Sequence, residues 1–510
     1  MHRPSLTPLA AVIASALLLS ACSALQPQPV TAEQYKKQVV EDRKAMFADQ
    51  EPANAPITFY VAAARALKYN LDYRLKLMET ALAANLRDVS TNELLPRLAV
   101  SAGYKGRSND SGGTSIGIED RQVSLRASTS EERYHTLGGL GLSWSVLDFG
   151  VAYFRTQQKS DQILMAEERR RRVAQNVLQD VRNAYWRALG AQRLKPEVDQ
   201  LLARTQKALQ TAQEADKRNL LPRQESLAYQ RALIDSISLL TVRRQDLEFA
   251  TAELVALMSF PSDTPLVLAD VEEPNLPELK ADINVLERLA LEHRPETMEE
   301  LYRKRVNEND IKIAKAQLWP NVGLDWSAQY DSNKYLYNNT WSQVGVVVSL
   351  NLLKLLQYPA LNATQDSQAK TDDARRVALS MAILTQVRVA SLRYQLARQD
   401  MAFADDSLRV DTSLLDYARA ARKTTIGSEL EVIRAEGRYL LSRYQREAAY
   451  ANAQAAWGRL YNSVGLDVLP ETVEQADVQS LALSIELVLT GQEQHGMNIG
   501  IEKGVGTGAK

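Results

Sequence analysis

Two hydrophobic periodicities alternate along the chain, and each occurs twice in the same order. The first is helical. Over 57–93, Phe59, Ala62, Ala63, Ala66 and Leu67 recur at the spacing that gathers apolar side chains on one helix face. Pro96 stops that segment, and period-2 alternation follows, first through Leu98, Val100, Ala102 and Tyr104, then through Leu140, Leu142, Trp144 and Val146. Downstream, Pro320 plays the same part. Val322, Leu324, Trp326, Ala328 and Tyr330 alternate with Gly323, Asp325, Ser327 and Gln329, and Val344, Val346, Val348, Leu350 and Leu352 with Gln343, Gly345, Ser349 and Asn351. Each run predicts a strand of about 10 residues with one apolar face, a length that crosses a bilayer when tilted. The segment 106–132 between the first two runs is polar and rich in Gly and Ser, and its counterpart 331–341 is a short loop.

After each strand pair the pattern becomes helical for an unusual distance, over 151–215 and 359–423, with Pro196 the one interior proline of the first. At 1.5 Å per residue such helices reach on the order of 100 Å. Short turns follow, at Lys217–Pro222 and Lys423–Ser428, and returning helices run to about 259 and 462. Stretches rich in Ala, Gln, Arg and Leu, such as Arg375 to Leu396, suit a long packed coiled coil.

The recurrence is an internal repeat. Leu94-Leu95-Pro96-Arg97-Leu98 answers to Leu318-Trp319-Pro320-Asn321-Val322 at an offset of 224, whereas Asp180-Val181-Arg182 answers to Gln386-Val387-Arg388 at 206. The first copy therefore carries an 18-residue insertion, the difference between the two offsets. The organisation becomes a first copy over 57–260, a Pro-rich linker over 261–282, a second copy over 283–465, and a weakly patterned tail over 466–510 that ends in a Gly-rich stretch expected to be flexible. Length alone, at about 150 residues per domain, would have suggested three domains.

Composition narrows the function classes. Lys and Arg number 61 against 62 Asp and Glu, a net charge of −1, so no charge excess points to nucleic acid. Mean hydropathy is −0.30, and beyond the N-terminus no stretch approaches the 18 or so apolar residues of a spanning helix. Four strands cannot close a barrel, for which about eight are needed, and an open edge cannot face lipid. Three copies would supply twelve strands and bundle the long helices into a tube that continues the barrel. The competing reading is a long coiled-coil structural protein with a few core strands.

Enzyme chemistry finds no footing. His2, His135, His293 and His495 are scattered, and GxSxG, HExxH and phosphate-loop patterns are absent. Cys22 is the single cysteine, which excludes disulfides and cysteine-based metal sites. It follows Arg3 and the apolar run Leu9 to Leu19, and Leu19-Ser20-Ala21-Cys22 resembles the lipobox of bacterial lipoproteins. That resemblance implies a signal peptide over 1–21, diacylation of Cys22 as the mature N-terminus, and an acylated segment over 22–56. Ser23 resembles an outer-membrane sorting signal. No metal or cofactor is expected beyond the lipid on Cys22.

The twofold helix–strand–strand–helix order resembles the TolC-like outer-membrane efflux proteins. The marks are Ala66-Leu67 with Asn70, Ala290-Leu291 with Pro295, the prolines at helix-to-strand junctions, and Leu147-Asp148-Phe149-Gly150 where strand passes into helix. The resemblance spans about 57–465, although Leu352 to Leu356 departs from the aromatic–glycine pattern at the second junction. It implies an α+β membrane protein: a homotrimer whose 12-stranded transmembrane β-barrel continues into a periplasmic α-helical barrel closed at its inner end. It further implies docking of a periplasmic adaptor protein that is itself bound to an inner-membrane transporter, and passive exit of exported compounds across the outer membrane. Channels of type I protein secretion, and a non-conducting envelope scaffold, are the alternatives.

Three groups of residues follow as candidates. Asn219, Leu220, Leu221 and Pro222, with Thr425, Ile426, Gly427 and Ser428, match the family's adaptor-docking tips, where Lys217, Arg218, Arg422 and Lys423 suit the negative ends of helix dipoles. Glu429 and Glu431 fall where the family places its gate; Arg434, one turn on, replaces a second acid seen in some relatives. Tyr104, Tyr134, Trp144, Trp326 and Trp341 suit an interfacial aromatic girdle. The basic run Arg169 to Arg172 follows Glu167 and Glu168, and i,i+4 pairing of Glu167 with Arg171 and Glu168 with Arg172 predicts a solvated helix face.

Overall fold

In a computed structural model the described residues are 29–48, 50–53, 55–114, 116–123, 126–218, 222–270, 275–423, 429–466 and 477–495. Two units are distinguished, 1–52 and 53–510. In the first, α1 (Ala32–Met46) is a helix with no buried residue, started by a capping box in which the Thr31 hydroxyl accepts from the Gln34 backbone N–H. The lipobox and Cys22 lie outside the described residues.

The second unit carries the repeat. The first copy runs α2 (Phe59–Tyr69), α3 (Leu71–Asn92), β1 (Arg97–Gly106), β2 (Ser111–Gly113), β3 (Ser128–Glu131), β4 (Tyr134–Ser145), α4 (Val146–Lys217) and α5 (Arg223–Leu257). The second runs α6 (Ile283–His293), α7 (Pro295–Ala316), β5 (Asn321–Asp331), β6 (Thr340–Ser349), a 3-10 helix (Leu352–Gln357), α8 (Tyr358–Lys423) and α9 (Glu429–Val464). A last helix, α10, covers Val478–His495.

Three expectations are refined. The helical segment 57–93 is two helices, broken at Asn70, whose side chain accepts from the Tyr73 backbone N–H at 3.0 Å and starts α3. The loop 106–132 contains the small antiparallel pair β2–β3. The tail is not wholly unpatterned: Val478, Leu481, Ala482, Ile485 and Leu489 fall on one face and bury it against α2. Asp477 starts α10 by accepting from the Ser480 backbone N–H at 2.8 Å. Residues 496–510 lie outside the described residues.

The helices form a layer. On the strand side α3 and α7 flank α4, with α8 beyond α7; farther from the strands α5 and α9 flank α4, with α8 beyond α9. Leu233, Leu240, Leu247 and Leu254, seven residues apart on α5, are all buried, Leu240 and Leu247 in one cluster with Leu194, Val198 and Leu201 of α4. Pro196 stands inside α4 without ending it. Midway along the layer, α2 and α10 stack on α4 through Phe59, Leu67, Tyr185, Trp186 and Ile485, and α6 stacks on α8 and α9 through Leu286, Leu289, Tyr394 and Trp457. Burial pushes the Tyr185 phenol up to about 12, and its hydroxyl donates to the Ile57 carbonyl at 3.3 Å.

Candidate functional site

The four long strands form one antiparallel sheet in the order β1-β4-β5-β6. Register fixes its faces, because directly paired residues point the same way. Leu98 pairs with Leu142, Leu142 with Trp326 and Trp326 with Val344; Val100, Leu140 and Ala328 form another such row. This apolar face stands bare, with Val100 81% and Val344 79% exposed. The opposite face carries Ser101, Ser143, Asp325, Ser327, Gln329 and Gln343. No described strand pairs with the outer edges of β1 and β6.

The girdle candidates divide. Tyr104 and Tyr134 stack with ring centroids 6.2 Å apart at the loop end of the apolar face, Trp144 marks its helix end, and Trp326 stands near the middle of β5 instead of at either end. Tyr134 and Trp144 are ten residues apart on β4. At about 3.3 Å per residue and a tilt near 45°, they stand about 23 Å apart along a barrel axis, close to the apolar band of such walls. Trp341 does not join them: it pairs with Gln329 on the polar face. Its odd parity against Val344 and Val346 is the reason. Beside the helix end, Leu352, Leu353, Leu355 and Leu356 are exposed on the 3-10 helix, which Asn351 caps by accepting from the Leu353 backbone N–H at 3.1 Å. The departure from the expected junction pattern is thus a short apolar helix. At the loop end, buried His135 on β4 and Asp331 on β5 are joined Nδ1 to Oδ1 at 2.6 Å.

At the far end of the helical layer, Asn219, Leu220, Leu221, Thr425, Ile426, Gly427 and Ser428 lie outside the described residues. Pro222 stands at the start of α5 and provides no side-chain cap. Of the gate candidates, Glu429 forms an ion pair with Arg422 across the turn, while Glu431 and Arg434 are exposed. The residue missed from sequence is Glu436. Its carboxylate, 12% exposed, binds Arg204 of α4 and, at 3.1 Å, Arg419 of α8. One α9 side chain therefore ties three helices. Burial, with Glu429 nearby, raises the Tyr229 phenol on α5 at the same end.

The basic run on α4 also pairs differently from expectation. Arg170 takes Glu167 at 2.6 Å and Arg171 takes Glu168 at 2.5 Å, both at i,i+3, while Arg169 reaches Glu299 of α7 at 2.8 Å. Arg172 is left out of these pairs because Glu168 is already engaged one residue earlier.

The family model for outer membrane efflux proteins matches residues 64–218 and 286–466, one match in each repeat. This chain belongs to the outer membrane efflux protein family. Solved structures agree with that membership in fold. The Campylobacter jejuni CmeC outer membrane channel aligns over 87% of this chain and 95% of its own, at 12% identity and a TM-score of 0.63. CusC, described in terms of transmembrane channel formation, aligns over 82% and 96% at 17% identity and a TM-score of 0.61. The open Neisseria gonorrhoeae MtrE outer membrane channel aligns over 82% and 94% at 15% identity and a TM-score of 0.59. No curated protein matches the chain in sequence. Within the family fold, the sheet of this chain is the β-barrel portion and the long helices are the helical barrel.

Proposed function

We propose that three copies of this outer membrane efflux protein form a passive exit channel for a tripartite pump, anchored through an acylated Cys22. One observation carries the reading: a four-stranded sheet with two unpaired edges and a bare apolar face passes directly into helices of 72 and 66 residues. Joining β6 of one copy to β1 of the next satisfies every edge, which a hydrocarbon environment demands. The apolar face then meets lipid, the polar face lines water, and the helices continue the wall for about 100 Å. The tips Asn219–Pro222 and Thr425–Ser428 are where a periplasmic adaptor docks, and an inner-membrane transporter supplies the energy. The chain itself offers passage, not chemistry.

The test uses purified full-length protein. A trimer mass and discrete conductance steps in planar bilayers are the expected result, and a monomeric or non-conducting protein overturns the reading. Removing the gene should sensitise cells to toxic compounds without changing secreted protein; the converse assigns the channel to protein secretion.

A further inference from the structure

A cleft of about 690 Å³ opens in the helical layer between α4, α8 and α9, near the level where α9 ends and α7 begins. Besides Arg294, which stands before α7 and is paired with Glu296, three guanidinium groups from three helices line it: Arg172 of α4, Arg393 of α8 and Arg459 of α9, with Asn176, Asn183 and Asn452 beside them. None of the three has a carboxylate within ion-pair distance among the described residues, although the arginines just before Arg172 are all paired. The one carboxylate of the lining, Glu296, is held by Arg294 at 2.8 Å. Asp180 of α4 is exposed and feels the charge of Arg459 without coming within ion-pair distance of it. Positive charge is thus concentrated in a polar cleft large enough for a small organic ligand.

Helix geometry says which way the cleft faces. At 100° per residue, Arg172, Asn176 and Asn183 lie about 180° around α4 from Ala174, Val181 and Ala188, which bury into the core with α2 and α10. On α9, Asn452 and Arg459 lie similarly opposite Trp457 and Val464, which pack with α6. The stacked helices α2, α6 and α10 therefore cover one face of the layer; on α4 and α9 the cleft residues stand on the other, and on α8 they lie about 90° around from the stripe that packs on α6, with Ala390 at the border. In a tube twelve helices around, with about 10 Å between axes, the bore is about 30 Å wide. Three helical stacks placed inside would fill it, so they stand outside and the cleft faces the lumen.

We propose that this cleft is an anion-binding site of the tunnel wall, taking multivalent organic anions whose carboxylate or phosphate groups engage Arg172, Arg393 and Arg459. Planar guanidinium groups suit paired contacts to such oxyanions, and neutral amides rather than ion-paired carboxylates stand beside them. The lumenal placement rests on the channel reading; the binding site does not. Three such clefts around one bore would detain anions in transit and bias passage toward them.

The probe is citrate, titrated calorimetrically at low salt into the purified full-length protein. Saturable binding is expected, weakened about tenfold or more in R172Q/R393Q/R459Q, with single R459Q as the milder variant if the triple one melts early. Arg169→Gln, which removes a paired arginine outside the cleft, should leave citrate affinity unchanged. In bilayers under a salt gradient, the reversal potential of the triple variant should move toward cation preference. Equal citrate binding by wild type and R459Q, or none by wild type, overturns the site. Citrate binding by a protein that never conducts upholds the site and overturns the channel.

Discussion

Glu436 on α9 holds Arg419 on α8 at 3.1 Å while its other carboxylate oxygen holds Arg204 on α4. Three helices are thereby joined through one side chain. Because the carboxylate is 12% exposed and the arginines about half exposed, the link lies between a surface pair and a buried one. Glu436→Gln should shift the closed–open balance by about 1–2 kcal/mol, seen as roughly a tenfold rise in open probability in bilayers. Glu431→Ala, at an exposed position, should change it far less. A larger effect from Glu431 than from Glu436 would return the gate to the residues singled out in sequence.

The bare sheet face makes a second, sharper distinction. Val344→Lys puts a charge on the apolar side near mid-strand, where a lipid-facing lysine costs about 2–4 kcal/mol. Gln343→Lys, one residue away, puts the same charge on the polar side. The first should strongly reduce assembled, membrane-embedded oligomer on a gel, and the second should not. Equal behaviour would mean that the apolar face does not meet lipid.

Much of this architecture is legible in sequence because period 2 and period 3.6 are hard to confuse over long runs. The rows through Leu98, Leu140, Trp326 and Val346 could be read because residues of one parity are mostly apolar, with Thr136, Thr340 and Ser342 the exceptions near the loop end. Parity also contained the correct placement of Trp341, an odd residue in a strand whose apolar positions are even. Glu436 was harder. Its partner Arg204 is 232 residues away, a distance no local spacing reports, and the available signal was only an acid on the apolar stripe of Ile433 and Leu440. The break at Arg294 was announced by Pro295, whereas the equivalent break at Asn70 rests on a side-chain cap that looks like any surface asparagine. Arg172 was assigned an i,i+4 partner that its neighbour takes first, a competition that only side-chain geometry resolves.

Gly190 marks a close approach of α4 to α9: a Cβ there would lie 2.9 Å from Cβ of Glu447, an atom fixed to the backbone. Replacing glycine inside a helix gains about 1 kcal/mol in propensity, but overpacking a tight seam costs about 1–3 kcal/mol. For Gly190→Leu the second effect should win, lowering the melting temperature followed by circular dichroism. An unchanged or raised midpoint would show that the α4–α9 seam yields freely.

Cys22→Ser tests the anchor independently of the channel. Cells fed a labelled palmitate analogue should mark the wild-type protein and leave the variant unlabelled. An unlabelled wild-type chain would remove the lipobox reading while leaving the barrel untouched.

Acid should loosen the loop end of the sheet before it reaches the helices' cores. Arg133 holds Asp110 at 2.6 Å, Lys105 holds Glu131, and Lys334 holds Glu132 at 2.9 Å. Each hydrogen-bonded cation keeps its partner's carboxyl below the ordinary carboxylate range. A depressed folded-state pKa means that stabilisation is complete above the unfolded value, about 4, and is lost as pH falls through the lower folded values. Hydrogen exchange across 106–114 and 126–134 should therefore be flat from pH 8 to about 5 after correction for intrinsic rates, and should accelerate below about 4. Arg133→Gln should raise exchange near Asp110 at neutral pH and shrink the acid step there, because the contact that acid would break is already gone. Loop exchange that stays flat to pH 3 in the wild type would show that these pairs do not order the loop.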